Sequence, residues 1–216
     1  PEKKFTRLKE IEIHVGRTGV LTPLALLEPV FLAGSTISKA TLHNMDYIRE
    51  RDIRIGDMVQ IMKAGDVIPA VVSVDREARI QERETVPRTE FTMPETCPEC
   101  GGPVLREAGE AAFRCTNPEC PAKIYRGLIH FTSKDAMNIE GLGPAVLRVL
   151  CDQGLITGIG DIYRLKDRRA ELIGIERMGE KSVENLLNSI ENTKKNELYR
   201  LIFGLGIRQV GAAASK

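Results

Sequence analysis

The segment CPECGGPVLREAGEAAFRCTNPECPA, residues 97–122, contains four of the five cysteines of the chain. They are spaced as C-x2-C, fourteen further residues, and C-x4-C. Each short pair is typical of a tight turn that directs two thiolates toward one point, and two such pairs supply the four sulfurs of a structural zinc site. Because the segment is poor in apolar residues, the metal has to replace a hydrophobic core. The spacing predicts a zinc finger with one structural zinc ion held by Cys97, Cys100, Cys115 and Cys120.

Other interpretations of the cysteines are weaker. Four reduced or disulfide-paired thiols would not need so regular a spacing, and disulfides are rare in the cytosol. A catalytic zinc ion keeps one position open for water, and four thiolates leave none. The fifth cysteine, Cys151, lies in the apolar stretch AVLRVLCDQG and is predicted to be a small buried hydrophobe.

Upstream of the zinc segment, the pattern predicts five short strands and one helix. The strands are expected at 10–15, 19–27, 30–37, 57–63 and 67–74, and the helix at 40–51. A single helix after the third of five strands matches the OB-fold, a small partly open barrel that often binds oligonucleotides. The pattern leaves an SH3-like or another small barrel open. Residues 1–78 are assigned to this domain, and the charged residues 79–95 are expected to be a linker or an extended arm.

Downstream of the zinc finger, assigned to residues 96–121, the apolar residues follow a helical period. Helices are expected at 121–133, 144–153, 167–173, 179–191 and 196–203, with short glycine-containing turns between them. Residues 122–216 are therefore expected to form an all-α domain. The predicted fold class is multidomain α+β, in which a small β-barrel precedes a four-cysteine zinc finger and an all-α domain.

Three similar glycine-containing turns, at 138–144, 174–180 and 206–212, each follow one helix and open another. A glycine before the second helix allows close approach of a ligand, and the free N–H groups of the helix N-terminus favour a phosphate. The candidate amide sites for DNA phosphates are Gly141, Gly143, Gly179 and Gly211, and ordinary cationic contacts are expected from Lys181, Lys194, Lys195, Arg200 and Arg208. The third hairpin stops five residues past Gly211. We therefore expect a helical domain truncated at its C-terminal end, in a piece of a longer protein.

The composition sets the class of protein. With 31 Lys and Arg against 30 Asp and Glu, the net charge is +1, which argues against a DNA binder that works only by counterion release. The content of 42% hydrophobic and 28% charged residues is ordinary for globular proteins, and excludes wholesale disorder and disulfide-dense scaffolds. No apolar run approaches the roughly 18 residues of a membrane span. A cytoplasmic protein with no membrane partner is expected.

A set of linked motifs resembles one family. In order, they are VGRTGVLTP (15–23), LEPVFLAG (27–34), ATLHN (40–44), DIRIGD (52–57), KAGDVIP (63–69), CPECGG, CTNPECPA, IEGLG, RMGEKS and GLGIRQVG. Together they resemble the bacterial NAD-dependent DNA ligases, in the part that follows the nucleotidyltransferase domain. The resemblance covers essentially the whole chain.

This resemblance implies an OB-fold, a four-cysteine zinc finger and a helix-hairpin-helix domain that close around nicked double-stranded DNA. The barrel residues that it implies in the minor groove are Arg17, Thr18, Lys63, Val67 and Ile68. Such barrels bind through the first loop and the last hairpin, where these residues lie. The alternatives are solvated surface charges for the cations and strand core for the two apolar residues. The implied partner is the N-terminal adenylation domain of the same protein, in a monomeric bacterial enzyme associated with the nucleoid through DNA.

The chain departs from the family in having no K-x-D-G sequence, which in these ligases contains the lysine that accepts AMP from NAD. The parent reaction would pass AMP to the 5′-phosphate of a nick, and the 3′-hydroxyl would displace it with magnesium present. We expect no catalytic residue in this chain, DNA binding without ligation, and zinc as its own metal. The competing function is a non-catalytic adaptor of recombination or repair. A nuclease is not favoured, because the acidic residues are scattered.

Overall fold

The N-terminal alternation of apolar and polar residues forms the first strand of a barrel in the computed structural model, which describes residues 2–63 and 68–216. The chain divides into two compact units, residues 1–120 and 121–216. In the first unit the elements are β1 (Glu2–Val15), β2 (Leu21–Leu32), β3 (Ser35–Thr41), α1 (Met45–Glu50), β4 (Arg54–Ile55), β5 (Met58–Lys63), β6 (Ala70–Val74), α2 (Arg76–Gln81), β7 (Thr89–Glu90), β8 (Val104–Arg106) and β9 (Phe113–Cys115).

Five strands close the barrel in the order β1-β2-β3-β6-β5, and α1 follows the third of them. This arrangement confirms the OB-fold prediction. The barrel closes through a short parallel pair between β3 and β6, at Thr41 and Ala70, and the other pairs are antiparallel. Every barrel strand contributes buried apolar residues to one core, including Leu8, Ala25, Ile37, Ile61 and Val71.

The second and third strands lie later in the chain than predicted. The break expected near residues 28–29 is a register shift between Leu26 and Val30 inside β2, where Pro29 is tolerated because a bulge needs no ladder donor from it. The hairpin turn falls instead at Ala33 and Gly34, whose φ angles are 46° and 77°. Gly34 was the sequence signal for this turn. Pro29 hid that signal because a proline is typical of a break between strands.

The segment 79–95 is not a free linker. Its first residues complete α2, which begins after Asp75, and the carboxylate of Asp75 accepts the Ala78 N–H at 3.0 Å. Further along, β7 pairs with β4. The charged residues of this segment, which was expected to be a linker or an extended arm, make ion pairs with the barrel rather than remaining in solvent.

Those ion pairs converge on Asp57, whose side chain is fully buried. Its two oxygens accept from the guanidinium groups of Arg79, at 2.6 and 2.9 Å, and of Arg88, at 3.1 Å. The backbone N–H of Arg54 adds a fourth hydrogen bond at 2.7 Å. A buried carboxylate is tolerated only when it is paired in this way, so the cluster fastens the segment after β6 to the barrel.

The second unit consists of helices: α3 (Pro121–Thr132), α4 (Pro144–Asp152), α5 (Ile159–Arg164), α6 (Arg169–Ile173), α7 (Glu180–Asn192), α8 (Leu198–Gly204) and α9 (Ala212–Ser215), with 3₁₀ turns at Leu165–Arg168 and Thr193–Lys195. The apolar faces of α3 to α7 share one core that includes Phe131, Leu147, Leu150, Ile162 and Leu186. No helix in the described part of the chain is long and apolar enough to cross a membrane.

Most of these helices were predicted within a few residues, and α5 was missed. Its sequence, IGDIYR, follows Gly158 and contains Gly160, and glycine has a low helix propensity. The helix forms because Asp161 accepts hydrogen bonds from the backbone N–H and the hydroxyl of Thr157, at 2.9 and 2.8 Å. It also buries Ile162 in the core of the unit.

Candidate metal centre and nucleic-acid interface

The four predicted cysteine ligands come together in the first unit. Their sulfur atoms all lie within 4.8 Å of one another, with 3.9 Å between Cys97 and Cys120 and 3.5 Å between Cys100 and Cys115. A tetrahedral zinc ion with Zn–S distances of about 2.3 Å separates its sulfurs by about 3.8 Å. The arrangement therefore fits one zinc ion that is closed to water.

A tight turn positions the sulfurs of the first cysteine pair. In it, the Gly101 N–H donates to the Cys97 carbonyl and the Cys97 N–H donates to the Gly102 carbonyl, both over 2.8 Å. Gly101 has a φ of 69°, and a Cβ on Gly102 would lie 2.9 Å from the Asn117 side chain. Both glycines are thus required by the local geometry, as the turn chemistry of the sequence predicted.

The surroundings of the sulfurs differ. The Gly102 N–H donates to Cys100 Sγ over 3.4 Å, and this lowers the pKa of the Cys100 thiol to about 6. Burial raises the pKa of the Cys115 thiol to about 12. Among residues 96–120, all of which are described, only Cys97, Cys115 and Cys120 are buried. The finger has no apolar core, and a soft divalent cation that binds thiolates would supply its missing centre.

Arg17 and Thr18 lie in the β1–β2 loop, residues 16–20. The Gly16 N–H donates to the Val20 carbonyl at 2.8 Å and the Gly19 N–H to the Gly16 carbonyl at 2.9 Å. The hydrogen bond between Gly16 and Val20 encloses three residues, 17–19. A hairpin loop of this length requires a positive φ at its last residue, and Gly19 has a φ of 84°. Thr18 is exposed and Arg17 is half-buried.

The other barrel candidates lie near the opposite end of β1. Lys63 pairs with Glu2, at the beginning of β1, and its ammonium donates to the Ser35 hydroxyl at 2.9 Å. Ile68 is 70% exposed, so the alternative that placed it in the strand core is wrong. Val67 lies outside the described residues. The structure places the candidates of the two loops at opposite ends of β1.

The three glycine-containing turns of the helical unit share a backbone conformation at their fourth and sixth residues. Their fourth residues, Gly141, Arg177 and Gln209, have φ angles of 85°, 68° and 69°. Two residues later, Gly143, Gly179 and Gly211 are extended and cap the N-termini of α4, α7 and α9. Sequence reasoning missed Arg177 and Gln209, although their alignment with Gly141 in the repeat was a usable signal.

The fold itself does not require glycine at the three cap positions. A Cβ atom added to Gly143, Gly179 or Gly211 would meet no atom of the chain within 4 Å, and none of the three is in the left-handed region. None of the three caps makes a side-chain hydrogen bond to its helix. The first-turn amides of these helices are therefore open to an acceptor from outside the chain, and the glycines leave room for it.

The predicted cationic contacts are placed less uniformly. Lys181, in the first turn of α7, and Arg208, in the third turn, are both exposed. Lys194 is paired with Glu191 at 2.7 Å, and Arg200 donates to the Lys134 carbonyl at 2.6 Å. Lys194 and Lys195 are exposed as well, and Arg200 is the one of these five candidates that is half-buried.

A polar groove of about 1070 Å³, which sequence reasoning did not predict, lies beside the first turn of the helical unit. Its lining includes Gly141 and the polar face of α7, with Ser182, Asn185, Ser189 and Asn192. The groove therefore adjoins one of the three turns with candidate amide sites.

Comparison with known proteins agrees with this geometry. The family model of the NAD-dependent DNA ligase OB-fold domain matches residues 5–84, and that of the NAD-dependent DNA ligase C4 zinc finger domain matches residues 96–122. Two segments of the chain thus match domains of the NAD-dependent DNA ligases. The matched OB-fold range extends through α2, so it includes Asp57 and Arg79 of the ion cluster and ends before Arg88.

Curated relatives are similar along the whole chain. DNA ligases of Acetivibrio thermocellus and Bacillus subtilis are 59% and 54% identical to it over 215 residues, which is 100% of this chain. The DNA ligase of Carboxydothermus hydrogenoformans is 55% identical over 211 residues. The chain spans about a third of the length of these relatives, 32%, 31% and 31% respectively. The helical unit therefore falls within the region of similarity to these ligases.

Proposed function

We propose that the chain is the DNA-binding portion of an NAD-dependent DNA ligase that joins single-strand nicks in duplex DNA during replication and repair. The observation that carries this proposal is the order of the two ligase domains in one compact unit, with both matched by family models. The similarity of the whole chain to about a third of the length of proteins named DNA ligase supports it. In this role the chain holds and positions the duplex, and positioning is a large part of the rate of a reaction between two strand ends.

Zinc is proposed as the structural metal of the finger. Cys97, Cys100, Cys115 and Cys120 would hold it, and when bound it links the two turns of the finger. Four thiolate ligands give the ion no open position for a substrate, so its contribution is to folding rather than to chemistry.

In the barrel, Arg17, Thr18, Lys63, Val67 and Ile68 are proposed to contact the minor groove beside the nick. The exposed side chain of Ile68 supports insertion between bases, because an apolar group at 70% exposure has no core to fill. Its location near the Lys63 end of β1, away from Arg17, suggests that the duplex contacts both ends of that strand.

For residues 121–216 we propose a helix-hairpin-helix domain that binds DNA phosphates. Gly141, Gly143, Gly179 and Gly211 would allow a phosphate to approach the backbone, with Lys181 and Arg208 adding charge. Contacts of this kind position DNA without reading its sequence, so we expect no sequence preference. They also explain how a chain with a net charge of +1 can bind DNA.

The covalent steps belong to the parent enzyme. We propose that NAD and magnesium act with the N-terminal adenylation domain, through enzyme-AMP and DNA-AMP intermediates. The chain alone has no K-x-D-G lysine to accept AMP. It should therefore bind DNA without joining it, and ligated product from this polypeptide alone would contradict the proposal.

The proposal is tested by titrating the zinc-loaded chain with matched nicked and intact duplexes, at two salt concentrations, and following fluorescence anisotropy. We expect binding to duplex DNA with a modest salt dependence, because few Lys and Arg side chains take part. Tighter binding to the nicked duplex would place nick recognition in this chain. No binding to either duplex would contradict the proposed function.

A matched pair of variants tests the phosphate sites. Gly179→Asn keeps a favourable helix cap but fills the space beside the open amides, so DNA affinity should fall by about tenfold, the value of one charged hydrogen bond. Gly158→Asn is the control, since Gly158 also caps a helix and also has open space around its Cβ position. Equal losses in both variants, or a changed sequence preference, would contradict the assignment.

A further inference from the structure

The zinc finger contacts the barrel at the β1–β2 loop, residues 16–20. Cys115, one of the four candidate zinc ligands, donates its backbone N–H to the Gly19 carbonyl over 2.8 Å. The preceding residue, Arg114, forms an isolated antiparallel bridge with Val20. The strand that delivers a sulfur to the metal centre thus continues directly into the edge of this loop.

A side-chain contact reinforces the backbone contact. Arg114 Nη1 donates to the Thr18 hydroxyl over 3.3 Å, at the tip of the loop. The same guanidinium is oriented from within the finger, because Nε and Nη2 both donate to Glu110 Oε2, at 3.2 and 3.0 Å. Arg114 is therefore held by the finger while it holds Thr18.

Backbone hydrogen bonds close the loop on itself. Its internal backbone hydrogen bonds join Gly16 to Val20 and Gly19 to Gly16, and Thr18 is exposed to solvent. On the other side of the contact, β9 is a strand of three residues. Among the described residues its one ladder partner is β8. Since the finger has no apolar core, the position of β9 depends on the metal centre.

Resting on the proposed function, we propose that zinc binding fixes the β1–β2 loop for DNA contact through β9, with Arg114 as a positioning residue. The affinities for zinc and for DNA are then coupled, because each ligand stabilises the same arrangement of loop and finger. Such coupling is reciprocal: zinc strengthens DNA binding by the factor by which DNA strengthens zinc binding.

Amide hydrogen exchange, followed by NMR on the full chain without DNA, tests the first part. Removing zinc with a chelator should speed exchange at the Gly16, Gly19 and Cys115 amides. Arg114→Ala should retain one zinc ion per chain and speed exchange at Gly16 and Gly19 by about fivefold or more, the lower range of coupling between sites. Unchanged loop protection after zinc removal would overturn the proposal.

Arg106→Ala is the matched control for this measurement. Arg106 lies on β8 of the same hairpin, carries the same charge, and also joins the finger to the barrel, through two hydrogen bonds to Asp46 of 2.6 and 3.1 Å. In the described part of the chain Arg106 does not contact residues 16–20, so its removal should leave exchange at Gly16 and Gly19 unchanged. Equal effects of the two variants would show general loosening of the finger and would overturn the role of Arg114.

DNA affinity tests the second part. Arg114→Ala should weaken duplex binding by about fivefold or more, and it should add nothing when Arg17 and Thr18 are both replaced by alanine. A full effect of Arg114→Ala in that background would mean that Arg114 contacts DNA itself, which would overturn its positioning role. If the unsubstituted chain binds no duplex, the proposed function fails, while the exchange measurement still decides whether zinc fixes the loop.

Discussion

In the barrel, buried apolar side chains from all five strands form one cluster, whereas in the neighbouring finger the buried residues are three cysteines. The barrel adds a second kind of centre, the fully buried Asp57 between Arg79 and Arg88. Both regions belong to one compact unit and touch at the β1–β2 loop. Adjoining parts of one unit therefore have separate sources of stability, and they should unfold under different perturbations.

The largest expected effect comes from the metal centre. Cys97→Ser removes one of four ligands, and because structural zinc contributes about 10–16 kcal/mol in isolated fingers, the finger should unfold and the zinc content should drop. Metal analysis and amide exchange check this result, with fast exchange expected in residues 96–120 and retained protection in the barrel strands. An unchanged zinc content and an unchanged fold would contradict the assignment.

The matched control for the finger is Leu105→Ala. Leu105 lies on β8 and is 59% exposed, so its truncation should change stability by no more than about 0.5 kcal/mol. A large loss of stability in this variant would show that apolar side chains stabilise the finger, as they do the barrel.

The second effect in size should appear only in the barrel. Asp57→Asn leaves two arginines facing an uncharged group inside the protein, and breaking one partner of a buried pair costs about 3–5 kcal/mol. Urea unfolding of the barrel should show this loss, with one zinc ion per chain retained. The comparison would fail if zinc were lost in parallel with barrel stability.

Asp52→Asn is the control for that experiment. Asp52 also contacts Arg79, but its side chain is 40% exposed, so the pair is screened by water and is worth about 0–1 kcal/mol. Its φ of 48° is one that asparagine adopts readily, so the substitution adds little strain. If Asp52→Asn lowered the stability of the barrel as much as Asp57→Asn does, the burial of Asp57 would not explain the larger effect expected of its substitution.

The same contrast explains what the sequence could predict. The finger could be predicted because the spacing of its cysteines is a local signal. The barrel could be predicted because its apolar residues follow a strand period and a single helix follows the third strand. Asp57, Arg79 and Arg88 were not readable, because the pairing of charges 22 and 31 residues apart is decided by tertiary structure. For the same reason the contact of Arg114 with Thr18, 96 residues away, has no signal in the sequence.

In the helical unit the prediction was right about the repeat and incomplete about its cause. Glycine was taken as the sign of a special backbone, yet Arg177 and Gln209 adopt the left-handed conformation that Gly141 adopts. The glycines at the cap positions are the ones that the fold leaves unexplained, since their surroundings have room for a side chain. A residue that packing does not require is better evidence for an external ligand than one that packing does require.

The smallest expected effect separates the two regions by pH. Glu82 lies between Arg7 and Arg88, with oxygens 2.7 to 2.8 Å from their nitrogens, and these hydrogen bonds lower the pKa of Glu82 from 4.5 to about 2. A lowered pKa in the folded state stabilises the protein above pH 4.5, and that contribution disappears as the pH falls through about 2. Thiolate ligands bind protons more readily as the pH falls, so acid should release the zinc while the Glu82 contacts persist.

Thermal unfolding of Glu82→Gln and of the unsubstituted chain, followed at barrel signals between pH 7 and pH 2, checks this order. The variant should melt at a lower temperature at neutral pH. The difference should shrink between pH 4.5 and about pH 2, because the Glu82 carboxylate is protonated first in the unfolded chain and only near pH 2 in the folded one. Glu84→Gln, at a carboxylate that is 83% exposed, should show little difference at any pH. Suppose instead that the difference in melting temperature between Glu82→Gln and the unsubstituted chain vanished at the pH where zinc is released. In that case the contacts of Glu82 with the barrel would depend on the finger, and the two regions would not have separate sources of stability.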